Sequence, residues 1–124
     1  MSIWTFGSVE AEPHVRLADW RILEASYSEG QTPTRHFAGC EARDRSGRIS
    51  SAISSFDVGQ RKGVTARGRV YELVGRSSTN DEAVRLWNLY CRINAVLAWT
   101  DVTEASLDHS ADERPAGSTA VDQR

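Results

Sequence analysis

The apolar positions change period once along the chain. Up to residue 75 they recur mostly at every second position, in short runs broken by Gly, Pro, Ser and Asp. From Thr79 to Trp99 they recur every three to four positions. The first pattern predicts strands and the second a helix.

The strand region divides at its turns. Val15 to Tyr27 places Trp20 and Ile22 on one face and Leu17, Leu23, Ala25 and Tyr27 on the other. Both faces are partly apolar, so this strand is expected to be central. Gly30 and Pro33 mark a turn. Arg35 to Arg43 predicts a second strand, with Phe37 and Gly39 facing away from Ala38 and Cys40. After Asp44 to Gly47, a third strand is expected over Arg48 to Phe56, where Ile49 and Ile53 are set among serines. A fourth is expected over Gly63 to Gly75, with Gly68 marking a bulge or a close backbone approach. Ile3 to Phe6 reads as a short edge strand. Short connections between consecutive strands imply antiparallel pairing.

In the helical segment Ala83, Leu86, Tyr90, Ile93 and Leu97 share one face. Thr79 and Glu82 have capping-box spacing, and Asp81 and Glu82 lie in the first turn, where negative charge suits the helix dipole. No Gly or Pro interrupts the run before Trp99. The polar arc is narrow: Arg85, Asn88 and Arg92, with Ala95 and Trp99 beside it. The apolar remainder is wider than the roughly 100° stripe that one sheet covers, so a second layer or a partner is expected. Asn94 falls within the apolar side and is expected to be a buried amide. The fold class expected from these patterns is α+β: a four-stranded antiparallel β-meander with one long C-terminal helix packed across it. Residues 1–107 read as a single domain. Residues 108–124 are small and polar and read as a disordered tail.

Composition adds bounds. The chain has 124 residues, enough for one domain that buries about two thirds of its unfolded surface. No apolar run approaches the roughly 20 residues of a membrane span. The N-terminal stretch lacks the basic start and apolar core of a secretory signal, so the expected location is the cytoplasm. Net charge is −2 but unevenly spread. Residues 35–76 carry nine basic and four acidic groups, while both flanks are acidic. That basic middle could attract phosphate, or be the solvated face of a sheet; the absence of interleaved aromatics favours the second.

Catalytic patterns are sparse. Cys40 and Cys91 have neither metal-ligand nor CxxC spacing and read as small buried hydrophobes. His36 is the one histidine placed inside an element; strand spacing puts it about 13 Å from Cys40, too far to activate that thiol, and nothing in the pattern brings it to Cys91. Gly59 to Gly63 resembles a phosphate loop only in glycine spacing, because Val64 and Thr65 lead into a strand and not a helix. The expectation is a non-enzyme with no cofactor and no metal. What remains is surface. Trp99 lies on the polar arc with Arg85 and Arg92 and is hardest to explain as core, so it is the leading interface candidate. The basic hairpin residues Arg61, Lys62, Arg67 and Arg69, and the acidic helix start at Asp81 and Glu82, complete the candidate partner-binding set.

The stretches GRISSAISSFD (47–57), GVTARGRVYELVG (63–75) and RINAVLAWTDVT (92–103) resemble small uncharacterised accessory proteins of proteobacterial phages, plasmids and integrated elements. Ala66-Arg67-Gly68 stands where that group tends to have Ser-Gly. The resemblance carries no catalytic residues. It implies a mobile-element context, in which small proteins often inhibit host defence, anti-CRISPR proteins among them. The leading expectation is therefore an inhibitor that binds a host protein or nucleoprotein complex stoichiometrically, for example a CRISPR surveillance complex or nuclease. One mode would have Asp81, Glu82, Asp101 and Glu104 mimic phosphate in a basic channel. The other would dock the basic hairpin and Trp99 onto protein. The alternatives are a nucleic-acid-binding module using the basic 35–76 face, or a homo-oligomeric interaction protein, such as a homodimer through the helix.

Overall fold

The computed structural model describes residues 13–108. The elements in order are β1 (His14–Ser26), β2 (Thr34–Glu41), β3 (Gly47–Ile49), β4 (Ile53–Asp57), β5 (Lys62–Thr65), β6 (Val70–Leu73), α1 (Asp81–Ile93), β7 (Ala98–Asp101) and α2 (Thr103–Ser106). They form one seven-stranded mixed sheet in the order β3-β2-β1-β6-β5-β4, with β7 also paired to β1. This corrects the expected four-stranded antiparallel meander with a single long helix. The expected strand at Ile3 to Phe6 and the tail beyond Asp108 lie outside the described residues.

The correction has local causes. The third expected strand breaks at Ser50 to Ala52 into β3 and β4, and the fourth breaks at the turn around Gly68 into β5 and β6. Gly68 has φ +90, so it is a turn residue and not a bulge in a continuous strand. The long-range cause is β1. Its first half runs parallel to β6, pairing His14 with Val70 and Leu17 with Leu73. Its second half pairs antiparallel with β7, Leu23 opposite Asp101 and Ser26 opposite Ala98. Its other edge takes β2. A strand apolar on both faces is thus central, but its partners are not simply its sequence neighbours.

A bulge sets which side chains face where. The β1–β2 register slips by one residue between Ala18 and Arg21, around Asp19, whose φ is 47. One extra residue reverses the alternation beyond it. Leu17 therefore shares a face with Trp20 and Ile22, and not with Leu23 and Ala25 as strict alternation predicts.

The two ends of the strand order, β3 and β4, are three residues apart in the chain, so the sheet has to curl on itself. Phe37 sits inside the curl. Its ring meets Phe56 at 5.8 Å and Tyr71 at 5.5 Å, and it lies so close to Gly63 of β5 that a Cβ there would overlap it. Val15, Leu17, Trp20, Ile22, Tyr71 and Leu73 complete this interior. On the opposite face of β1 and β2, Leu23, Ala25, Ala38 and Ile49 take Ala83 and Trp87 from α1. None of the described helices is long and apolar enough to cross a membrane.

Candidate functional site

The helix ends six residues before Trp99. Asn80, and not Thr79, caps its start: the Asn80 Oδ1 accepts from the Ala83 amide at 2.9 Å. Asn94 caps its end, and its side-chain amide donates to the Tyr90 carbonyl at 3.0 Å. Asn94 is exposed, so it serves its own helix instead of satisfying a strand end within the core. Ala95 then takes φ 56, a left-handed conformation more usual for Gly at this position. This reversal turns the chain back along β1 as β7, starting with the Leu97 amide on the Ser26 carbonyl at 2.8 Å.

The reversal changes the fate of the apolar stripe. Ala83 and Trp87 are buried and Leu86 and Tyr90 half-buried, but Ile93 is 51% and Leu97 72% exposed. Trp99 is 46% exposed and stands on β7, edge-on to Trp87 with ring centroids 6.0 Å apart. Val84, at 44%, flanks the same side. Between α1 and the β1/β7 pair lies a cavity of about 160 Å³, lined by Leu23, Ala38, Ala83, Val84, Trp87 and Trp99. The Trp87 indole N–H is buried here with no hydrogen-bond partner among the described residues. Charged groups form the rim. Arg21 holds Asp101 at 2.8 Å and Glu104 at 3.4 Å. The guanidinium holds the Asp101 carboxyl below its usual range together with the Thr103 amide and hydroxyl, against the opposing effect of burial.

A second group of polar side chains lies under α1, with His36 buried and Thr34, Tyr27 and Tyr90 half-buried. His36 Nδ1 is 2.9 Å from the Ser50 carbonyl, so that nitrogen carries the proton. Its Nε2 then accepts from the Thr34 hydroxyl at 2.7 Å. The Tyr27 hydroxyl joins Thr34 at 2.7 Å and Tyr90 at 3.3 Å. Burial lowers the His36 pKa and raises those of the Tyr90 phenol and the Cys91 thiol. These shifts keep all three neutral, which suits a structural network better than a thiolate–imidazolium pair. Cys40 is buried as expected, whereas Cys91 is half-buried. The Thr34–His36 pairing was available from strand alternation, two residues apart on one face; its connection to Tyr27 and Tyr90 required the tertiary fold.

A hollow of about 650 Å³ opens where β4 separates from β2. Its charged lining, Glu24 and Arg35, pairs internally at 3.2 Å. None of its described lining residues is His or Cys.

The residues singled out from sequence are dispersed. Asp81, Glu82, Arg85 and Arg92 are exposed along α1, with the Glu82 side chain packed beside Gly47. Lys62 and Arg67 are exposed on and after β5. Arg61 is half-buried, its guanidinium 6.0 Å from the centre of the Trp20 ring, and Arg69 is buried. The basic middle is therefore not one face. Arg43 and Arg48 both meet Glu41, Arg45 meets Asp19, and Arg35 meets Glu24. Trp99 is at the surface, but on an edge strand and not on the helical arc with Arg85 and Arg92. Leu97, Ile93 and Val84 belong with it, whereas an uninterrupted helix puts Ile93 and Leu97 on the apolar stripe that a sheet, a second layer or a partner covers. No family model, curated protein or solved structure matches the chain.

Proposed function

We propose that the protein acts by stoichiometric binding of another protein, through the surface formed by the end of α1 and by β7. The observation that carries this reading is Trp99: a large aromatic, half exposed on an edge strand, braced against the buried Trp87 and bordered by exposed Leu97 and Val84. A braced aromatic loses little side-chain freedom on binding, which is why such residues dominate interface energies. Arg85 and Arg92 supply exposed charge on the same helix. Phosphate mimicry by the acidic groups is the less favoured mode, because Asp101 and Glu104 are already engaged by Arg21.

The target class to test is a host defence complex of the CRISPR type. That choice comes from the resemblance of residues 47–57, 63–75 and 92–103 to accessory proteins of mobile elements, not from the site. The experiment is co-elution of the full chain with a panel of purified surveillance complexes and nucleases, alongside their cleavage activity. A stoichiometric complex that loses affinity by roughly 30-fold or more in Trp99→Ala supports the reading. Absence of co-elution and unchanged cleavage across the panel count against the defence target. A complex that forms equally well with Trp99→Ala counts against the surface.

A further inference from the structure

The edge of β7 has a geometry that a second copy of this chain can complete. Ile22 turns its backbone toward β7, since its N–H donates to the Thr103 hydroxyl and its C=O accepts from the Val102 amide. By the two-residue alternation of a strand, Glu24 does the same and bonds Thr100. Trp99 and Asp101 must then turn their N–H and C=O groups the other way, toward the open edge. Among the described residues β7 pairs with β1 alone, all four of its residues are exposed, and α1 packs over β2 and β3 instead of covering this edge.

We propose that two copies pair β7 to β7, antiparallel, about a twofold axis at Thr100, making one continuous sheet. This pairing rests on the backbone edge of β7 and not on the target assigned above, but it uses Trp99 as well, so a second copy and a target compete for that side chain. Trp99 of each copy opposes Asp101 of the other, so the outward groups of both residues find one another in four hydrogen bonds. Thr100 opposes Thr100 on the other face, a favourable cross-strand pair. No like charges meet directly. Each Asp101 is neutralised by its own Arg21, and Glu24, beside Thr100, by Arg35. The Trp99 indole lies over the Asp101–Arg21 pair of the second copy, covering part of its exposed surface. An interface in which each residue and its symmetry mate exchange the same contacts is the usual form of a closed dimer.

The pairing predicts a specific register, and cysteine cross-linking reads it. Residues at Thr100 would form a directly opposed, non-hydrogen-bonded pair with Cα atoms about 4.5 Å apart, within disulfide reach. Ala98 of one copy lies far from Ala98 of the other. In a Cys91→Ser background, Thr100→Cys should therefore cross-link to a dimer on mild oxidation, at least roughly tenfold faster than Ala98→Cys. Light scattering over a concentration series should show the unmodified chain as a dimer, and Thr100→Lys, which sets like charges at the axis, as a folded monomer by circular dichroism. A wild-type monomer at every concentration overturns the proposal. So does cross-linking of Ala98→Cys as fast as Thr100→Cys, or a Thr100→Lys protein that remains a dimer. A dimer with the Thr100 register but no captured target supports the pairing while overturning the defence-target reading. A monomer that binds a target does the reverse.

Discussion

The two faces of β1 support cores built in different ways. The inner face is closed by the curl of the sheet around Phe37, and its apolar and aromatic side chains enclose a buried ion pair, Arg48 with Glu41, the guanidinium 5.9 Å from the centre of the Tyr71 ring. The outer face is covered by α1 alone. It carries the polar chain of His36, Thr34, Tyr27 and Tyr90 and a cavity of about 160 Å³, and it borders exposed Val84, Ile93, Leu97 and Trp99. A curled sheet covers its interior from several directions, whereas one 13-residue helix covers only a stripe. The inner face is therefore the place to look for stability and the outer face the place to look for contact.

The sharpest way to break this comparison is to truncate both sides. Phe37→Ala should cost about 3–5 kcal/mol, because its fully buried ring meets Phe56, Tyr71 and the backbone at Gly63 together. Urea denaturation measures this. A cost below about 1 kcal/mol would show that the curl is not held by this ring.

A smaller effect separates the faces by pH. His36 is buried neutral, with its pKa lowered from 6.5 chiefly by burial. The unfolded chain therefore takes up a proton that the folded chain does not as pH falls below about 6.5. Stability contributed here is present above that value. It is lost as pH drops toward the lowered folded pKa, by up to about 1.4 kcal/mol per pH unit. His36→Gln should flatten that slope between the two values, measured as urea midpoints against pH relative to the unmodified chain. An unchanged slope would mean that His36 is solvated.

The smallest effect is expected at the surface. Leu97→Ser should change stability by no more than about 0.5 kcal/mol, since the side chain is 72% exposed. It should weaken partner binding all the same. A loss of thermal stability comparable to a core substitution would place Leu97 in the fold and remove it from the contact surface.

The candidate surface was legible only in part. Trp99 stood out because an aromatic on a polar arc has no core explanation. The route was wrong, since Trp99 is not on the helix. Val84, Ile93 and Leu97 were hidden because helical periodicity continues past Asn94 even though the helix does not. Nothing in the spacing marks a left-handed Ala95, where Gly would have announced the stop. The basic residues of 35–76 look like one face in sequence. Arg35 and Arg45 have acidic partners on β1, Glu24 and Asp19, brought to them by strand pairing, while Arg43 and Arg48 share Glu41 at the end of β2.

Local period and turn chemistry, both readable from neighbours in sequence, determined that this chain makes strands before residue 75 and a helix that begins near residue 80, but not that the helix ends at Ile93. They also determined that β1, apolar on both faces, is central. Three things depended on the tertiary structure: the parallel pairing of β1 with β6, the bulge at Asp19 that moves Leu17 to the inner face, and the return of the chain as β7. Each depends on which distant edge is available once the sheet has curled around Phe37. A two-residue alternation carries no record of which edge that is, because it is the same for every partner a strand can take.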